Sequence, residues 1–273
     1  MPSQAEKAAR FKTLHEGSNA FVIANPWDAG SAQVLAGLGF LALATSSGAA
    51  AGTLGRRDGR ITRAEAIAHA RAIVEATDLP VSADLEGGFG DAPEDVAETI
   101  RQAGAAGLAG GSIEDASGDR DQPIYALAHA AQRVAAAAQA ARALPFPFVL
   151  TARAENFLHG KADLDDTIRR LQAFEKAGAD VLFAPALPDL AAVKRVCSSV
   201  TRPVNFMAGI RAKSFTVAEL EAAGVRRISL ATSLWRAAMT GLIEASREIH
   251  DQGTFGYLER ILPTAEVSRF LRD

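Results

Sequence analysis

The sequence predicts a (β/α)8 TIM barrel built from a single domain of 273 residues. Short apolar runs recur eight times, and their continuous apolarity is typical of parallel strands that are covered on both faces. Helical patterns lie between most of these runs, and such an alternation at this chain length favours a barrel. The runs are residues 21–24, 40–44, 81–83, 107–113, 148–152, 181–184, 203–207 and 227–231.

The predicted helices carry ordinary start signals. Residues 62–77 open with Thr62 and have Glu65 three positions later, which is the spacing of a capping box. Residues 93–103 begin with Pro93, a residue that suits the first turn of a helix. We also expect helices over residues 125–143, 164–177, 189–197 and 216–223, and a C-terminal helical extension over residues 234–273.

An open doubly wound sheet is the competing fold for such an alternation. The first apolar run is followed by NPWDAGS (25–31), which lacks the glycine fingerprint of dinucleotide-binding sheets. The sequence therefore favours the closed barrel.

Composition and charge exclude several classes of function. The formal net charge is -3, so nucleic acid is not an expected partner, and basic pairs such as Arg226–Arg227 are interpreted as a solvated face. Cys197 is the single cysteine, which excludes an intrachain disulfide and fits a reducing compartment. Residues 1–15 lack the apolar core of a signal peptide, and no run reaches the roughly 18 apolar residues of a membrane span. We expect a soluble, cytoplasmic protein without a membrane partner.

Carboxylates follow two neighbouring predicted strands, at the end of a barrel that carries the active site. Asp84 and Glu86 follow the third run and Glu114 follows the fourth. Alternate side chains of a strand share a face, so Asp84 and Glu86 would point the same way if the strand continued that far. Converging carboxylates repel unless a cation lies among them, and hard oxygen ligands favour Mg²⁺, with Mn²⁺ as a second candidate. The alternative is that these residues cap helices or pair with Arg153.

Two further features of the strand ends suit an anionic ligand. Arg153 ends the fifth run, and its planar fork matches a carboxylate or a phosphonate. An internal ion pair with Glu114 or Glu155 is the alternative, and both interactions are compatible. The turn TSSG (45–48) offers hydroxyls and closely spaced N–H groups that can hold a carboxylate, although it also reads as an ordinary small-residue turn.

Six segments of the chain form an ordered set of motifs. They are ANPWDAGSA (24–32), TSSG (45–48), GRRDGR (55–60), SADLEGGFGD (82–91), SIED (112–115) and TARAENF (151–157). In order and spacing they resemble the isocitrate lyase/phosphoenolpyruvate mutase superfamily. The resemblance implies a barrel that binds Mg²⁺ and makes or breaks a C–C or P–C bond next to a pyruvate-like enolate, in a small α-keto or 2-hydroxy acid. It also implies a homotetramer, a dimer of dimers, in which paired subunits exchange C-terminal helices.

The resemblance assigns metal and catalytic roles by motif position. Asp84 resembles the direct metal ligand, and Asp58, Glu86 and Glu114 resemble the residues that hold the metal's waters. Catalytic roles fall on Asp58, Glu114 and Arg153.

Substrate contacts follow from the same resemblance. Ser46, Ser47 and Gly48 resemble a cradle for the substrate carboxylate, Arg153 resembles an anion clamp, and Asn205 resembles a further polar substrate contact.

One loop departs from the family pattern. The lyases carry a cysteine-containing segment after the fourth strand that serves as catalytic acid or base, whereas residues 114–125 read EDASGDRDQPIY, without cysteine, lysine or histidine. The lysine, threonine and asparagine of the mutase loop are absent as well. We expect a Mg²⁺-dependent carbon–carbon lyase or decarboxylase that acts on a small α-keto or 2-hydroxy mono- or dicarboxylic acid. The alternatives are a phosphonopyruvate hydrolase or mutase that acts on a P–C bond, and a barrel that binds a keto acid without efficient catalysis.

Overall fold

The computed structural model describes residues 2–210 and 215–272 and contains one eight-stranded sheet whose strands are all parallel. The strands are β1 (Phe21–Ile23), β2 (Leu43–Ala44), β3 (Val81–Asp84), β4 (Gly110–Glu114), β5 (Val149–Arg153), β6 (Val181–Phe183), β7 (Val204–Met207) and β8 (Arg227–Ser229). Consecutive strands from β2 to β8 pair with one another, and β8 pairs with β1. A bridge between Ala24 and Leu43 joins β1 to β2, so the sheet closes into a barrel. The predicted (β/α)8 fold is confirmed, and the open doubly wound sheet is wrong.

Helices alternate with the strands around the outside of the barrel. They are α1 (Gln4–Glu16), α2 (Ala29–Gly37), α3 (Ser47–Thr53), α4 (Arg63–Ala76), α5 (Pro93–Ala105), α6 (Leu127–Arg142), α7 (Leu164–Lys176), α8 (Leu190–Ser198), α9 (Val217–Ala222), α10 (Ser233–Gln252) and α11 (Thr264–Ser268), with a 3-10 turn at Gly256–Arg260. The capping box of α4 forms as predicted, because Thr62 accepts from the Glu65 N–H while the Glu65 carboxylate accepts from the Thr62 N–H. Within the described residues, no helix combines the length and the hydropathy that a membrane span requires.

The main core lies between the sheet and the surrounding helices. Leu150 and Leu182 on the outer face of the strands are fully buried, as are Ile100, Leu171 and Phe174 on the helices. Burial of one such side chain stabilises the fold by roughly 1.5–3 kcal/mol. Because this layer covers the outer face of the sheet, the inner face of the strands is left to line the barrel lumen.

Helix α1 closes the amino end of the barrel, and the sequence analysis did not predict it. Phe11 and His15 are buried there, and the ring of His15 meets Phe11 and Phe21 edge to face at 4.7 Å and 5.1 Å between ring centroids. Gly110 makes room for this plug, because a Cβ at Gly110 would lie 2.9 Å from Cε1 of Phe11. Among the described residues, helix α1 therefore closes the lumen below, and the lumen opens toward the carboxyl ends of the strands.

The segment after the barrel differs from the rest of the chain. Helix α10 has no buried residue, and Leu242 and Ile243 on it are about half exposed. Two aromatic side chains attach the segment to the barrel, because Trp235 packs on Gly52 and Phe270 packs on Gly37. A helix whose apolar side chains beyond the first turn stay exposed is a feature of a surface that another molecule covers.

Candidate active site

Arg153 lies at the centre of the barrel mouth and contacts three carboxylates. Its Nη1 atom is 2.9 Å from Oδ1 of Asp84 and 3.0 Å from Oε2 of Glu114, and its Nη2 atom is 3.0 Å from Oε1 of Glu155. The register explains the meeting, because Arg153 and Glu114 are paired across β5 and β4, and Asp84 ends β3 beside them. Burial acts to lower the pKa of Arg153, but the three carboxylates outweigh it and raise the pKa, so this side chain stays a cation.

Asp84 is held from both sides. Its Oδ1 atom accepts from Arg153, and its Oδ2 atom accepts from the backbone N–H of Ser47 at 3.0 Å. The backbone N–H of Asp84 in turn donates to Oγ1 of Thr45 at 3.0 Å. The turn at residues 45–48 therefore fixes the position of the Asp84 carboxylate. This structural role is separate from any contact that the turn makes with a ligand.

Glu86 reaches the mouth in a way that alternation along a strand does not predict. Strand β3 ends at Asp84, and Glu86 has a φ of 48°, in the left-handed region. Its Oε1 atom is buried and has no hydrogen-bond partner in the described part of the chain. Burial raises the pKa of Glu86 to about 7, with Asp84 and Asp58 adding to the effect. A strained, desolvated carboxylate with an unused oxygen is an arrangement that a bound cation would stabilise.

Glu114 shares this environment. Burial raises the pKa of Glu114 well above its ordinary value, although Arg153 opposes the shift, and Glu155, Asp84 and Glu86 add to it. One arginine therefore faces several carboxylates, and an additional positive charge would reduce the repulsion among them.

Asp58 lies beside the turn at residues 45–48. A Cβ on Gly48 would lie 3.1 Å from Oδ2 of Asp58 and 3.0 Å from Cγ2 of Thr232, so glycine permits this close approach. Asp58 and Ser47 line both of two neighbouring spaces, one at the mouth of the barrel and one in its lumen. The predicted site residues Asp58, Asp84, Glu86 and Glu114 are thus brought to one end of the barrel.

These residues fit a magnesium ion that retains water. In the described ranges 2–210 and 215–272, no three Asp, Glu, His or Cys side chains are set close enough to enclose a metal by themselves. Mg²⁺ usually binds through one or two carboxylates, several waters and the substrate, so it does not require an all-protein cage. The free Oε1 atom of Glu86 and the excess of largely buried carboxylates meet that requirement.

Two arginines that the sequence analysis missed hold the loop after β3. Arg133 has a relative exposure of 1% and donates to the carbonyls of Gly87, Gly90 and Asp91, the last two at 2.7 Å and 2.5 Å. Arg63 donates to the carbonyl of Phe89 at 3.3 Å from the other side. Both lie on helices far along the chain from the loop, so no local motif reveals them.

The loop after β4 is ordered by structural contacts. Ala116 and Ile124 form an antiparallel bridge, and Asp115 accepts from the Glu155 N–H at 2.8 Å and from Arg170 at 2.9 Å. The hydroxyl of Tyr125 donates to Asp91 and its ring stacks under Arg133, which agrees with a packing role for Tyr125.

A cavity of about 240 Å³, here called the lumen cavity, extends from the mouth into the barrel. Ser46, Ser47, Asp84 and Arg153 line its upper part. Its lower part is lined by polar residues of the inner strand faces, namely Ser82, Ser112, Asn205, Arg227 and Ser229. A second space of about 350 Å³, the mouth cavity, lies above Arg153 and is lined by Glu86, Glu114, Glu155 and His159, among others.

Asn205 has a fixed orientation in the lower part of the lumen cavity. Its Oδ1 atom accepts from Nε of Arg227 at 2.8 Å, and its Nδ2 atom donates to Oγ of Ser229 at 3.0 Å. The interpretation of Arg226–Arg227 as a solvated pair is wrong for Arg227, which has a relative exposure of 5%. Alternation was the overlooked signal, because two adjacent residues of a barrel strand point to opposite faces and one of them must face the lumen.

Carboxylates and an arginine at the carboxyl end of a closed parallel barrel, above a small polar cavity, are the arrangement of a barrel enzyme. The family model for phosphoenolpyruvate phosphomutase matches residues 11–250. The chain therefore belongs to the phosphoenolpyruvate mutase/isocitrate lyase superfamily, as the motifs predicted.

Named relatives narrow the class further. The chain is 30% identical to 2-methylisocitrate lyase of Escherichia coli K12 over 261 residues, which cover 93% of this chain and 86% of the relative. It is 28% identical to 2,3-dimethylmalate lyase of Eubacterium barkeri over 272 residues, which cover 96% and 92%. A Burkholderia cenocepacia J2315 structure, provisionally described as a lyase/mutase, superposes with a TM-score of 0.96 at 50% identity, covering 98% and 96% of the two chains. The prediction of a carbon–carbon lyase of this superfamily is confirmed at this level.

Proposed function

We propose that the protein is a Mg²⁺-dependent lyase or decarboxylase that cleaves a C–C bond in a small α-keto or 2-hydroxy mono- or dicarboxylic acid through a pyruvate-like enolate. The observation that carries the proposal is the cluster of Asp84, Glu86 and Glu114 around Arg153, in which an oxygen of Glu86 is buried without a partner. A protein that only binds a ligand would not need so many desolvated carboxylates, since each destabilises the fold unless its charge is compensated. Mn²⁺ is the second candidate metal.

Asp84 is the proposed direct metal ligand, and Asp58, Glu86 and Glu114 are the proposed holders of its waters. When bound, a divalent cation supplies electrostatic stabilisation for negative charge that develops on a keto oxygen. Glu114 and Asp58 complete the proposed catalytic set with Arg153.

Substrate orientation is the proposed task of the chain's own polar groups. Arg153 presents a largely buried guanidinium to the upper lumen cavity and matches one acid group of the ligand. Ser46 and Ser47 line the same space with their hydroxyls, and Gly48 lets Asp58 close one side of it. When these groups and Asn205 hold the substrate, the bond to be broken can align with the carbonyl π system. The cavity of about 240 Å³ lies below the ~300–1,000 Å³ of drug-sized sites, so the substrate is small.

The second candidate is cleavage of a P–C bond. The family model that matches the chain is that of a phosphomutase, and the loop at residues 114–125 carries no cysteine, lysine or histidine to act as the lyase acid. Arg153 accepts a phosphonate as readily as a carboxylate.

A substrate panel separates these candidates. The protein is incubated with Mg²⁺ and, in turn, oxaloacetate, 2-methylisocitrate, 2,3-dimethylmalate and phosphonopyruvate, and pyruvate, other keto acids and phosphate are measured. Product from a carbon acid without phosphate, abolished by a chelator and restored by Mg²⁺, supports the lyase. Phosphate release supports the second candidate. Absence of product from every acid, together with stabilisation of the protein against heat by a keto acid, would contradict both candidate reactions and indicate a barrel that only binds the acid.

We also propose a homotetramer, a dimer of dimers, in which the C-terminal helices of residues 234–273 are exchanged between subunits. Beyond its first turn, where Trp235 packs on Gly52, helix α10 exposes Leu242, Ile243 and Ile249. Light scattering after size exclusion tests this, and a monomer at micromolar concentration would contradict it. A cytoplasmic location remains part of the same proposal and rests on the single cysteine.

A further inference from the structure

Arg227 lies at the bottom of the lumen cavity, with its side chain inside the barrel. Its Nε atom donates to Oδ1 of Asn205 at 2.8 Å, and its Nη2 atom donates to Oγ1 of Thr151 at 3.0 Å. Its Nη1 atom faces Nε2 of His15 at 3.4 Å. All three contacts are to uncharged groups. The His15 ring is neutral at physiological pH, because burial and the neighbouring Arg227 lower the pKa of His15 to about 3.

The charge of Arg227 therefore has no counter-charge. Among the described residues, no carboxylate forms an ion pair with it, whereas the buried Arg153 and Arg170 both have carboxylate partners. Burial lowers the pKa of Arg227 to about 9, which still leaves it protonated at neutral pH. An isolated buried cation is strongly unfavourable, and proteins keep such a group only where something compensates its charge.

The donors of Arg227 are not exhausted by these contacts. A guanidinium carries five N–H donors, and the three contacts described here use one on each nitrogen. Arg227 also lines the lumen cavity together with the hydroxyls of Ser82, Ser112 and Ser229. Free donors, hydroxyls and an unpaired positive charge at the closed end of a cavity form a site for an anionic group.

The distance to the mouth decides what kind of ligand fits. Thr151, which Arg227 contacts, and Arg153 lie on the same inner face of β5, two residues apart. Two residues of a strand rise by about 6.6 Å, so the two guanidinium groups lie in adjacent layers of the lumen. A ligand with an acid group at each end of a short chain can reach both layers, whereas a single acid group can reach only one.

We propose that Arg227 binds an acid group of the substrate at the floor of the lumen cavity, so that the two acid groups of a small diacid are held apart, one by Arg227 below and one by the mouth residues above. This inference deepens the proposed function and rests on it, because only the proposed function makes the bound diacid a substrate. Asn205 is a positioning residue in this arrangement, because its amide oxygen holds the guanidinium toward the cavity.

Binding of unreactive probes tests the proposal without any turnover. Succinate and 3-phosphonopropionate carry two acid groups, and butyrate carries one on a chain of similar length. Titration calorimetry with Mg²⁺ present compares the wild-type protein with Arg227→Gln and with the matched control Arg226→Gln, which removes the same charge from the neighbouring, half-buried residue that does not line the lumen cavity. We expect the wild type to bind one of the diacids roughly ten- to a hundred-fold more tightly than butyrate, as a charged hydrogen bond predicts. Arg227→Gln should lose that preference while butyrate affinity stays unchanged, and Arg226→Gln should keep it.

Each alternative outcome has a distinct meaning. A preference for succinate assigns the floor to a carboxylate, and a preference for 3-phosphonopropionate assigns it to a phosphonate. Equal binding of diacids and butyrate by the wild type overturns the inference without requiring the variant to fold, and so does a diacid preference that survives in folded Arg227→Gln. Diacid binding that depends on Arg227, in a protein inactive on the whole substrate panel, would refute the proposed lyase function and leave the floor site standing. Arg227→Lys keeps the charge but not the fork, and it should retain part of the preference.

Discussion

The mouth and the floor of the same barrel place a buried arginine in opposite electrical surroundings. Arg153 at the mouth contacts Asp84, Glu114 and Glu155 within 3.0 Å. Arg227 at the floor contacts an amide, a hydroxyl and a neutral imidazole ring. The mouth therefore carries surplus negative charge, and the floor carries surplus positive charge.

This difference indicates what each end requires. A buried charge is stabilised when a group of opposite charge binds beside it, so the two ends of the barrel need different partners. Surplus carboxylates at the open end suit a cation that exchanges with solvent, and a lone guanidinium at the closed end suits an anion that enters with the ligand. The four predictions below test that contrast, in order of decreasing effect.

Loss of Asp84 should have the largest effect, because it removes the proposed metal ligand at the mouth. We expect Asp84→Asn to lower kcat/KM by at least about a thousand-fold, since a metal-supplied stabilisation of several kcal/mol is lost. Steady-state kinetics with Mg²⁺ on the substrate identified from the panel measure this effect. Asp251→Asn, an exposed aspartate on α10, is the matched control and should keep normal activity. Near wild-type activity in a folded Asp84→Asn protein would refute the assigned role.

Replacement of Arg153 should destabilise the fold strongly. Arg153→Met leaves three carboxylates at the mouth without their cation, and removal of one partner from a buried ion pair costs about 3–5 kcal/mol. Urea denaturation of the metal-free protein measures the free energy of unfolding. Arg142→Met breaks the half-exposed pair with Asp180 and should change stability by at most about 1 kcal/mol. Equal effects of the two variants would show that the mouth cluster is not electrostatically coupled.

His15 should make the protein sensitive to mild acid. Its pKa is lowered from 6.5 to about 3 in the folded state, first by burial and then by Arg227. Between those two values the unfolded chain binds a proton that the native protein excludes, so stability falls as the pH drops from above 6.5 toward 3. The slope from this residue reaches about 1.4 kcal/mol per pH unit.

The comparison of wild type with His15→Gln isolates that contribution. Urea midpoints at pH 7.5, 6.5, 5.5 and 4.5 should diverge, with the variant losing less stability below pH 6.5. Carboxylates such as Glu86 titrate in both proteins and cancel in the difference. Parallel curves for the two proteins would indicate that His15 is protonated in the native state.

Replacement of Arg227 should have the smallest effect on the free protein. Arg227→Met removes a buried charge that has no carboxylate partner, and an apolar replacement of buried charge is often neutral or stabilising. We expect the free energy of unfolding in urea to change by no more than about 1 kcal/mol, with Arg226→Met as the matched control. A loss as large as that of Arg153→Met would show that Arg227 is compensated within its own chain, and the contrast between mouth and floor would disappear.

The sequence by itself determined the barrel and the chemical character of its mouth. Apolar runs, the capping box at Thr62 and the alternation of elements are local patterns, and local backbone physics is enough to interpret them. The placement of Asp84, Glu114 and Arg153 at one end followed as well, because the carboxyl ends of parallel strands meet at the same face of a barrel.

Only the tertiary structure decided the rest. The turn that brings Glu86 to the mouth depends on a left-handed backbone that Arg133 and Arg63 support from distant helices. The floor depends on Arg227 meeting His15, a residue 212 positions away along the chain. The burial of a charge and the identity of its partners are properties of chain segments that only folding brings together, so no local pattern in the sequence contains them.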